Sequence, residues 1–395
     1  MVTIGTPLKK TSTKVLLCGS GEIGKEIAIA LQKYGIEIVA IDNYDNAPAM
    51  QVSQKKYVVN MMNKSELLKI IQLEKPLYII PEKESINIEL LKELENKNFK
   101  IIPNAKTIEY TMNREKIRKL AFYDLKIKTS KFKIASSYDE FKSSIYSIGF
   151  PCVSKPIMSS SGKGQYILYS KEDIDKSWDH LKEARGSYEK VIIEEYIKFD
   201  YEVTLLTIKT NDKILFCKPI GHIQENGDYR LSWQPQKINK NILNKMKRYS
   251  KKIVQYFNGN GLYGVEFFIK KDEVFFNEIS PRPHDTGMVT LISQNYSEFE
   301  LHIRSILNLP IKKIHLRNKS ASMAIIGENK SLNPKELLYH NIDLVLKNNC
   351  EIRLFGKPEI IKKRRLGIIL SKDKTIKNAI ENCKNALSNL IIEYK

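Results

Sequence analysis

The chain has 395 residues, 42% hydrophobic and 28% charged, the balance of a soluble globular protein with room for two or three cores. No apolar run reaches the about 18 residues that a membrane span needs, and the opening "MVTIGTPLKKTSTK" lacks the apolar segment of a secretory signal. The formal charge of +20 raises nucleic acid as a partner, but the lysines are spread along the chain, which reads as a compositional bias favouring small anionic substrates.

In chain order, "KVLLC" (14–18) is expected to be a buried strand. Residues 22–34 are expected to be a helix, with Ile23, Ile27, Leu31 and Tyr34 at helical spacing. "EIVAID" (37–42) is the next strand, so a β-α-β unit and a parallel sheet are predicted at the N-terminus. "LYIIPE" (77–82) is a further strand, followed by a helix at 86–97 and "KIIP" (100–103). A first domain should end near 112, and a helix at 113–124 leads into a second unit. There "CVSKP" (152–156) and "GQYILYS" (164–170) flank a loop, with a helix at 172–184 and the strand "KVIIEEYI" at 190–197. From 201 onward strands dominate: "YEVTLLTIK", "KILFCKPIGH", "LYGVEFFIK" and "EVFFNEIS", with helices near 240–257 and 297–307. The tail, 312–395, carries strands near 321–326 and 366–371 and a helix at 374–388. The five cysteines (Cys18, Cys152, Cys217, Cys350, Cys383) are scattered without a C-x-x-C pair, which argues against a disulfide framework and a zinc site and for the cytoplasm.

Two glycine loops stand out. "GSGEIG" follows a strand and opens a helix, and Asp42 ends the next strand, as in a dinucleotide-binding fingerprint. Glu22, however, suits the helix dipole but would repel a pyrophosphate. The pattern therefore admits a dinucleotide, a ligand-free turn, or a ligand whose amine meets Glu22. "SSSGKG" is not a phosphate-binding loop of the strand-to-helix kind, because Ile157 and Gly164 break that pattern and a strand follows. Its small residues can still form an anion nest, with Lys155 and Lys163 adding charge. A lid over ATP phosphates and a plain hairpin tip are both open.

Glu266 and Glu278 lie on two strands joined by "KKDE" (270–273). Pairing around Lys271 or Asp272 would place them roughly opposite, with Cβ atoms about 5 Å apart. Like charges there need compensation; a magnesium ion shared with phosphates would supply it, and a protonated carboxylate or a lysine partner would be the alternative. "SPRPHDTG" follows, with Pro281 and Pro283 stiffening the backbone around Arg282, as suits a guanidinium meeting phosphate or carboxylate. His284 is read first as structural, since a lone histidine usually is, with a catalytic role as the alternative.

Lys155 before the lid loop, "VIIEEYI", Glu202, the Glu266/Glu278 pair and the Pro-Arg-Pro-His segment together resemble the ATP-grasp superfamily. "MNRE", "KPIMSSSGKGQ", "SWQPQ", "SPRPHDTGMVTLISQ", "RLFGKPE" and "RRLG" resemble, within it, the formate-dependent phosphoribosylglycinamide formyltransferases of purine synthesis, from about residue 4 to the C-terminus. The resemblance implies an α/β and α+β fold of three parts. These are an N-terminal parallel-sheet domain (1–112), a small lid (113–198) and a large antiparallel-sheet part (199–395). It implies ATP and Mg²⁺ as cofactors, formate and glycinamide ribonucleotide as small-molecule substrates, and a homodimer, with neither nucleic acid nor membrane as partner.

Residue by residue, the resemblance assigns Arg114, Lys155, Ser160, Ser161, Gly162, Lys163, Gly164 and Gln165 to the ATP phosphates. Glu194, Glu195, Tyr196 and Ile197 would form the adenine hinge and Glu202 would take the ribose. Glu266 and Glu278 would hold the metal. Glu22, Ile23, Glu82, Asp285, Lys357, Arg364 and Arg365 would bind the ribonucleotide, which turns "GSGEIG" into a substrate site. Lys155, Lys163, Arg282 and Asp285 would be catalytic. Glu195 and Tyr196 stand where the family has smaller residues. The rival within the fold is a carboxyaminoimidazole ribonucleotide synthetase using bicarbonate. Rivals outside it are a silent nucleotide-binding regulator and an RNA-binding protein.

Overall fold

The computed structural model describes residues 2–158, 164–184, 190–225, 227–331, 333–347 and 349–395. Among them the N-terminal strands form a five-stranded sheet in the order Lys55–Val58, Glu37–Asp42, Lys14–Cys18, Tyr78–Pro81, Lys100–Ile101. Every pairing is parallel. The two central strands are apolar runs because both faces are covered. Leu16, Val39 and Ile79 pack on one side with Leu90, Leu91 and Leu94 of the helix Ile88–Asn96. Val15, Leu17 and Ala40 pack on the other with Ile23, Ile27 and Leu31 of the helix Glu22–Gln32. That helix ends short of the expected 34, at a turn through Gly35 with φ +66°. The strand Lys55–Val58 escapes the apolar-run argument because it is an edge strand with mostly exposed residues. The helix Lys64–Glu74, capped by Asn63, lies outside the elements expected from the sequence.

A second sheet runs Phe132–Ala135, Val191–Glu195, Cys152–Pro156, Tyr166–Leu168, all antiparallel, with helices Tyr138–Ile148 and Ile174–Ala184 packed on it. The third sheet is large and antiparallel. Its order is Glu273–Ser280, Gly261–Lys270, Tyr201–Lys209, Ile220–Glu225, Asp228–Gln234, Lys319–Asn329, Lys362–Asp373, Cys350–Leu354, with Ile214–Phe216 also on Tyr201–Lys209. The run expected as one strand, 213–222, is two, separated around Pro219, which has no N–H for a ladder. The helices Lys240–Phe257, Glu298–Ile306 and Ile376–Asn389 lie close to their expected spans.

One apolar cluster joins the parallel sheet to the large sheet. Leu17, Ile27 and Leu31 share it with Phe299, Ile303, Phe355, Ile368 and Leu370. Such a shared core fixes the two sheets as walls of one cleft. No helix among the described residues is long and apolar enough to cross a membrane.

Candidate active site

The first wall is the carboxyl end of the parallel sheet, where open α/β sheets bind ligands. Glu22 opens the helix after Lys14–Cys18, Tyr44 follows Glu37–Asp42, and Glu82 follows Tyr78–Pro81. Gly24 lets that helix close on the turn, since a Cβ there would meet the Gly19 carbonyl oxygen at 2.4 Å. The arrangement removes the dinucleotide reading. Asp42 is 2% exposed, accepts from the Ser20 N–H (2.8 Å) and pairs with Lys83 (2.7 Å), so its carboxylate is consumed inside the protein.

The large sheet supplies the counter-charges to Glu22. Its carboxylate pairs with Lys357 and, at 3.4 Å, with Arg365, which also holds Asp285 at 2.7 Å. Burial works against both carboxylates, but Lys357 and Arg365 hold Glu22 below the ordinary range, and Arg365 does the same for Asp285. Lys25 Nζ donates to the Phe355 carbonyl (3.0 Å), and Phe355 is core, so the segment carrying Lys357 is clamped to the helix of Glu22. Arg364 donates to the Tyr44 hydroxyl (3.2 Å) and lies over its ring. Glu82 faces Arg282 at 4.0 Å, and burial lifts its carboxyl to about 7. Ile23 is only 3% exposed and belongs to the core, so only its backbone at the helix N-terminus can face a ligand.

The second wall is the hairpin Gly261–Lys270/Glu273–Ser280, turning through Lys271 with φ +52°. Glu266 is opposite Glu278, but not through the turn alone. From Lys270 opposite Glu273 the ladder runs regularly to Phe267 opposite Phe276, and continued so it would set Glu266 against Asn277. A bulge at Asn277 shifts the register by one residue and brings Glu278 into place. Asn277 Nδ2 then donates to Glu266 (3.3 Å), and His284 Nε2 pairs with Glu266 at 3.0 Å. Burial opposes the charge on Glu266, yet His284 keeps its carboxyl well below the ordinary range. Glu278 is exposed, yet partial desolvation by the neighbouring protein together with the Glu266 charge holds its carboxyl above that range. His284 is thus more than structural packing, a role that a lone histidine in a sequence does not signal.

Beside the hairpin, Glu202 faces His222 at 3.5 Å, and burial together with the Glu266 charge lifts it to about 7. The Glu202–His222 pair continues through Thr204, Thr286 and His284 to Glu266, with contacts of 3.3, 2.9, 2.9 and 3.0 Å.

The third wall is the small sheet. Lys155 and Glu194 are diagonal neighbours on adjacent strands, with Val153 opposite Glu194. They pair at 2.7 Å, and Arg118 meets the other oxygen of Glu194 at 2.5 Å. Glu194 is 3% exposed; burial would raise its pKa, but Arg118 and Lys155 drive it to about 2. Arg114 docks on the end of the strand Cys152–Pro156, donating to the Pro156 carbonyl (3.0 Å) while its backbone N–H meets Ile157 (3.0 Å). Gly164 has φ +73° and no room for a Cβ, which would stand 2.5 Å from Ala184 Cβ. Gln165 is exposed. Ser160, Ser161, Gly162 and Lys163 lie outside the described residues. The Glu195 and Tyr196 amides already donate to the Lys131 and Pro151 carbonyls. Arg118, buried and central, was missed: nothing in "MNREKIR" distinguishes it from a solvated helix lysine or arginine.

Comparison with known proteins bears on this geometry. Residues 12–111 match the ribonucleotide synthetase preATP-grasp domain, 120–299 the ATP-grasp domain, and 320–390 the "PurT, C-terminal" family. The chain is 50% identical over 394 residues, all of both chains, to the formate-dependent phosphoribosylglycinamide formyltransferase of Wigglesworthia glossinidia brevipalpis. Among solved structures, an ADP complex of N5-carboxyaminoimidazole ribonucleotide synthetase superposes with TM-score 0.84 at 25% identity, covering 98% of each chain. Glycinamide-RNase-transformylase T from Mycobacterium tuberculosis superposes with TM-score 0.79 at 27% identity, covering 96% of this chain and 100% of the other. The fold is that of the ATP-grasp enzymes, as the three larger sheets anticipate.

Proposed function

The chain belongs to the family of formate-dependent phosphoribosylglycinamide formyltransferases, and from that premise we propose how its cleft joins formate to the amine of glycinamide ribonucleotide with ATP in purine biosynthesis. The observation that carries the proposal is the convergence of Glu22, at the start of the helix after Lys14–Cys18, and Asp285, in the turn after the hairpin, on Arg365. Two ionised carboxylates at the mouth of a helix suit an amine, and Arg364, Arg365 and Lys357 suit a ribose phosphate.

ATP is proposed to lie between the small and large sheets. Lys155, Arg114 and the loop through Ser160, Ser161, Gly162, Lys163, Gly164 and Gln165 would hold its phosphates, and Glu202 the ribose hydroxyls. With the Glu195 and Tyr196 amides engaged, reading of the adenine by a backbone N–H falls to Ile197. Glu266 and Glu278 fit a magnesium ion. Two opposed carboxylates are too few for an all-protein cage, and no larger acid, histidine or cysteine cluster able to hold a metal occurs among the described residues. That leaves coordination for phosphate oxygens and water, as Mg²⁺ requires. When bound, the ion would neutralise charge on the nucleotide phosphates.

In the proposed sequence, formate oxygen attacks the γ-phosphorus and ADP leaves, giving formyl phosphate. The ribonucleotide amine then attacks the formyl carbon, the bond from that carbon to the phosphate oxygen breaks, and phosphate departs with the proton the nitrogen gives up. Lys155, Lys163 and Arg282 would stabilise the charge that develops on the phosphoryl group, while Glu22 and Asp285 orient the amine. Residues 1–112 would hold the amine, 113–198 the lid, and 199–395 the metal and ribose phosphate. We carry a homodimer and a cytoplasmic setting as parts of the same reading. The five cysteines are free and buried, as a reducing compartment allows.

The test is ADP release with ATP, Mg²⁺ and glycinamide ribonucleotide, with and without formate, read together with product mass. Formate-dependent ADP and a product one formyl group heavier are expected. Turnover only with bicarbonate and aminoimidazole ribonucleotide would assign the chemistry of the carboxylating neighbours instead.

A further inference from the structure

Arg118 sits on the helix Arg114–Lys119, and its residue is 4% exposed. A guanidinium so buried must be paired on several sides. Nη2 meets the Glu194 carboxylate at 2.5 Å, and Nη1 donates to two carbonyl oxygens, Phe276 at 3.1 Å and Asn277 at 3.0 Å. Those two carbonyls belong to the bulge that shifts the hairpin register and sets Glu278 opposite Glu266. A bulge takes backbone groups out of the ladder, and buried carbonyls without a donor are costly. Arg118 supplies that donor. Its other nitrogen shares Glu194 with Lys155, so the same planar group also fixes the lysine assigned to the phosphates.

We propose that Arg118 is a positioning residue for the metal–nucleotide complex. It ties Glu194, and through that carboxylate Lys155 on the adjacent strand, to the bulge that aligns the Glu266/Glu278 pair, so that phosphate and metal contacts keep one relative geometry. The proposal rests on the roles given above to Lys155 and to the carboxylate pair. Lysine cannot replace arginine here: a single ammonium can pair with Glu194, but it lacks the planar fork that reaches three acceptors at fixed angles.

The test measures ATP affinity of the full-length protein by calorimetry, once in EDTA and once with Mg²⁺, for the wild type, Arg118→Lys and Arg118→Met. Arg118→Lys is expected to keep its affinity in EDTA within about threefold while losing roughly tenfold of the enhancement by Mg²⁺. Arg118→Met is expected to lose roughly tenfold in both conditions, with guanidinium ion restoring part of the Mg²⁺ enhancement. If Arg118→Met does not fold, Arg118→Lys decides alone. An unchanged Mg²⁺ enhancement in folded Arg118→Lys would overturn the proposal. So would an equal loss of affinity for ATP and for glycinamide ribonucleotide, which marks general loosening. These readouts need no formate: a wild type without formate-dependent turnover would refute the proposed reaction, while the Mg²⁺ enhancement would still decide the role of Arg118.

Discussion

Replacing Glu278 by Gln should change stability in opposite directions with and without metal. The two carboxylates face each other across the hairpin, with Cβ atoms about 5 Å apart. Glu278 opens to the cleft, so the effective dielectric is high; at about 60, two charges at that distance repel by about 1 kcal/mol. The His284 contact on Glu266 offsets part of this, leaving a gain of roughly 0.5 to 1 kcal/mol for Glu278→Gln in EDTA. In a chain of this size that is an increase in Tm of no more than about 2 °C. With Mg²⁺ the sign reverses. If Mg-ATP is present at about a hundred times its Kd, it stabilises the wild type by about 2.7 kcal/mol; a hundredfold weaker complex retains only about 0.4 kcal/mol. The assay is thermal unfolding of both proteins in EDTA, in ATP with EDTA, and in Mg-ATP, with turnover measured alongside and expected to be lost. A Glu278→Gln protein no more stable than wild type in EDTA, yet showing the full Mg²⁺-dependent shift, would refute the carboxylate pair as the metal site.

Glu22→Gln should raise the KM for glycinamide ribonucleotide by about tenfold or more while leaving the KM for ATP unchanged, because a charge-assisted contact contributes about 1.5 to 3 kcal/mol; steady-state kinetics that moved both constants equally would contradict the placement of Glu22. Glu298 provides a pH test of the core. It is fully buried, its Oε2 accepts from the His284 N–H at 2.8 Å, and burial lifts its carboxyl from 4.5 to about 8. The folded chain therefore holds a proton that the unfolded chain releases, so this contribution is full below pH 4.5 and is lost as pH rises through about 8. Between about pH 6 and 9, denaturant titrations should show a decline of roughly 2 to 3 kcal/mol that is flattened in Glu298→Gln; parallel curves for the two proteins would count against a neutral Glu298.

Much of this architecture is carried by local pattern. Apolar runs such as "KVLLC" and "EIVAID" read as strands covered on both faces, and every residue of Glu37–Asp42 is buried accordingly. The motif blocks around Lys155, Glu202, Glu266 and "SPRPHDTG" were enough to indicate an ATP-grasp enzyme. Edge strands were not legible: Lys55–Val58 is half lysine because it borders solvent. Nor was the fate of Asp42, which ends a strand as a ribose-binding acid would, but is spent on Ser20 and Lys83.

The partnerships across distance were set by how separate elements meet. Glu22 and Lys357 are 335 positions apart, and nothing near either residue names the other. The turn at Lys271 sets a register that would face Glu266 with Asn277, and the bulge that corrects it has its carbonyls satisfied by Arg118, 158 residues upstream of Phe276. Side-chain periodicity reports which face of a strand is buried, and the chain's own neighbours suffice for that. Which buried polar group finds which partner depends on how separate elements meet, because an unpaired one is too costly to leave in the core.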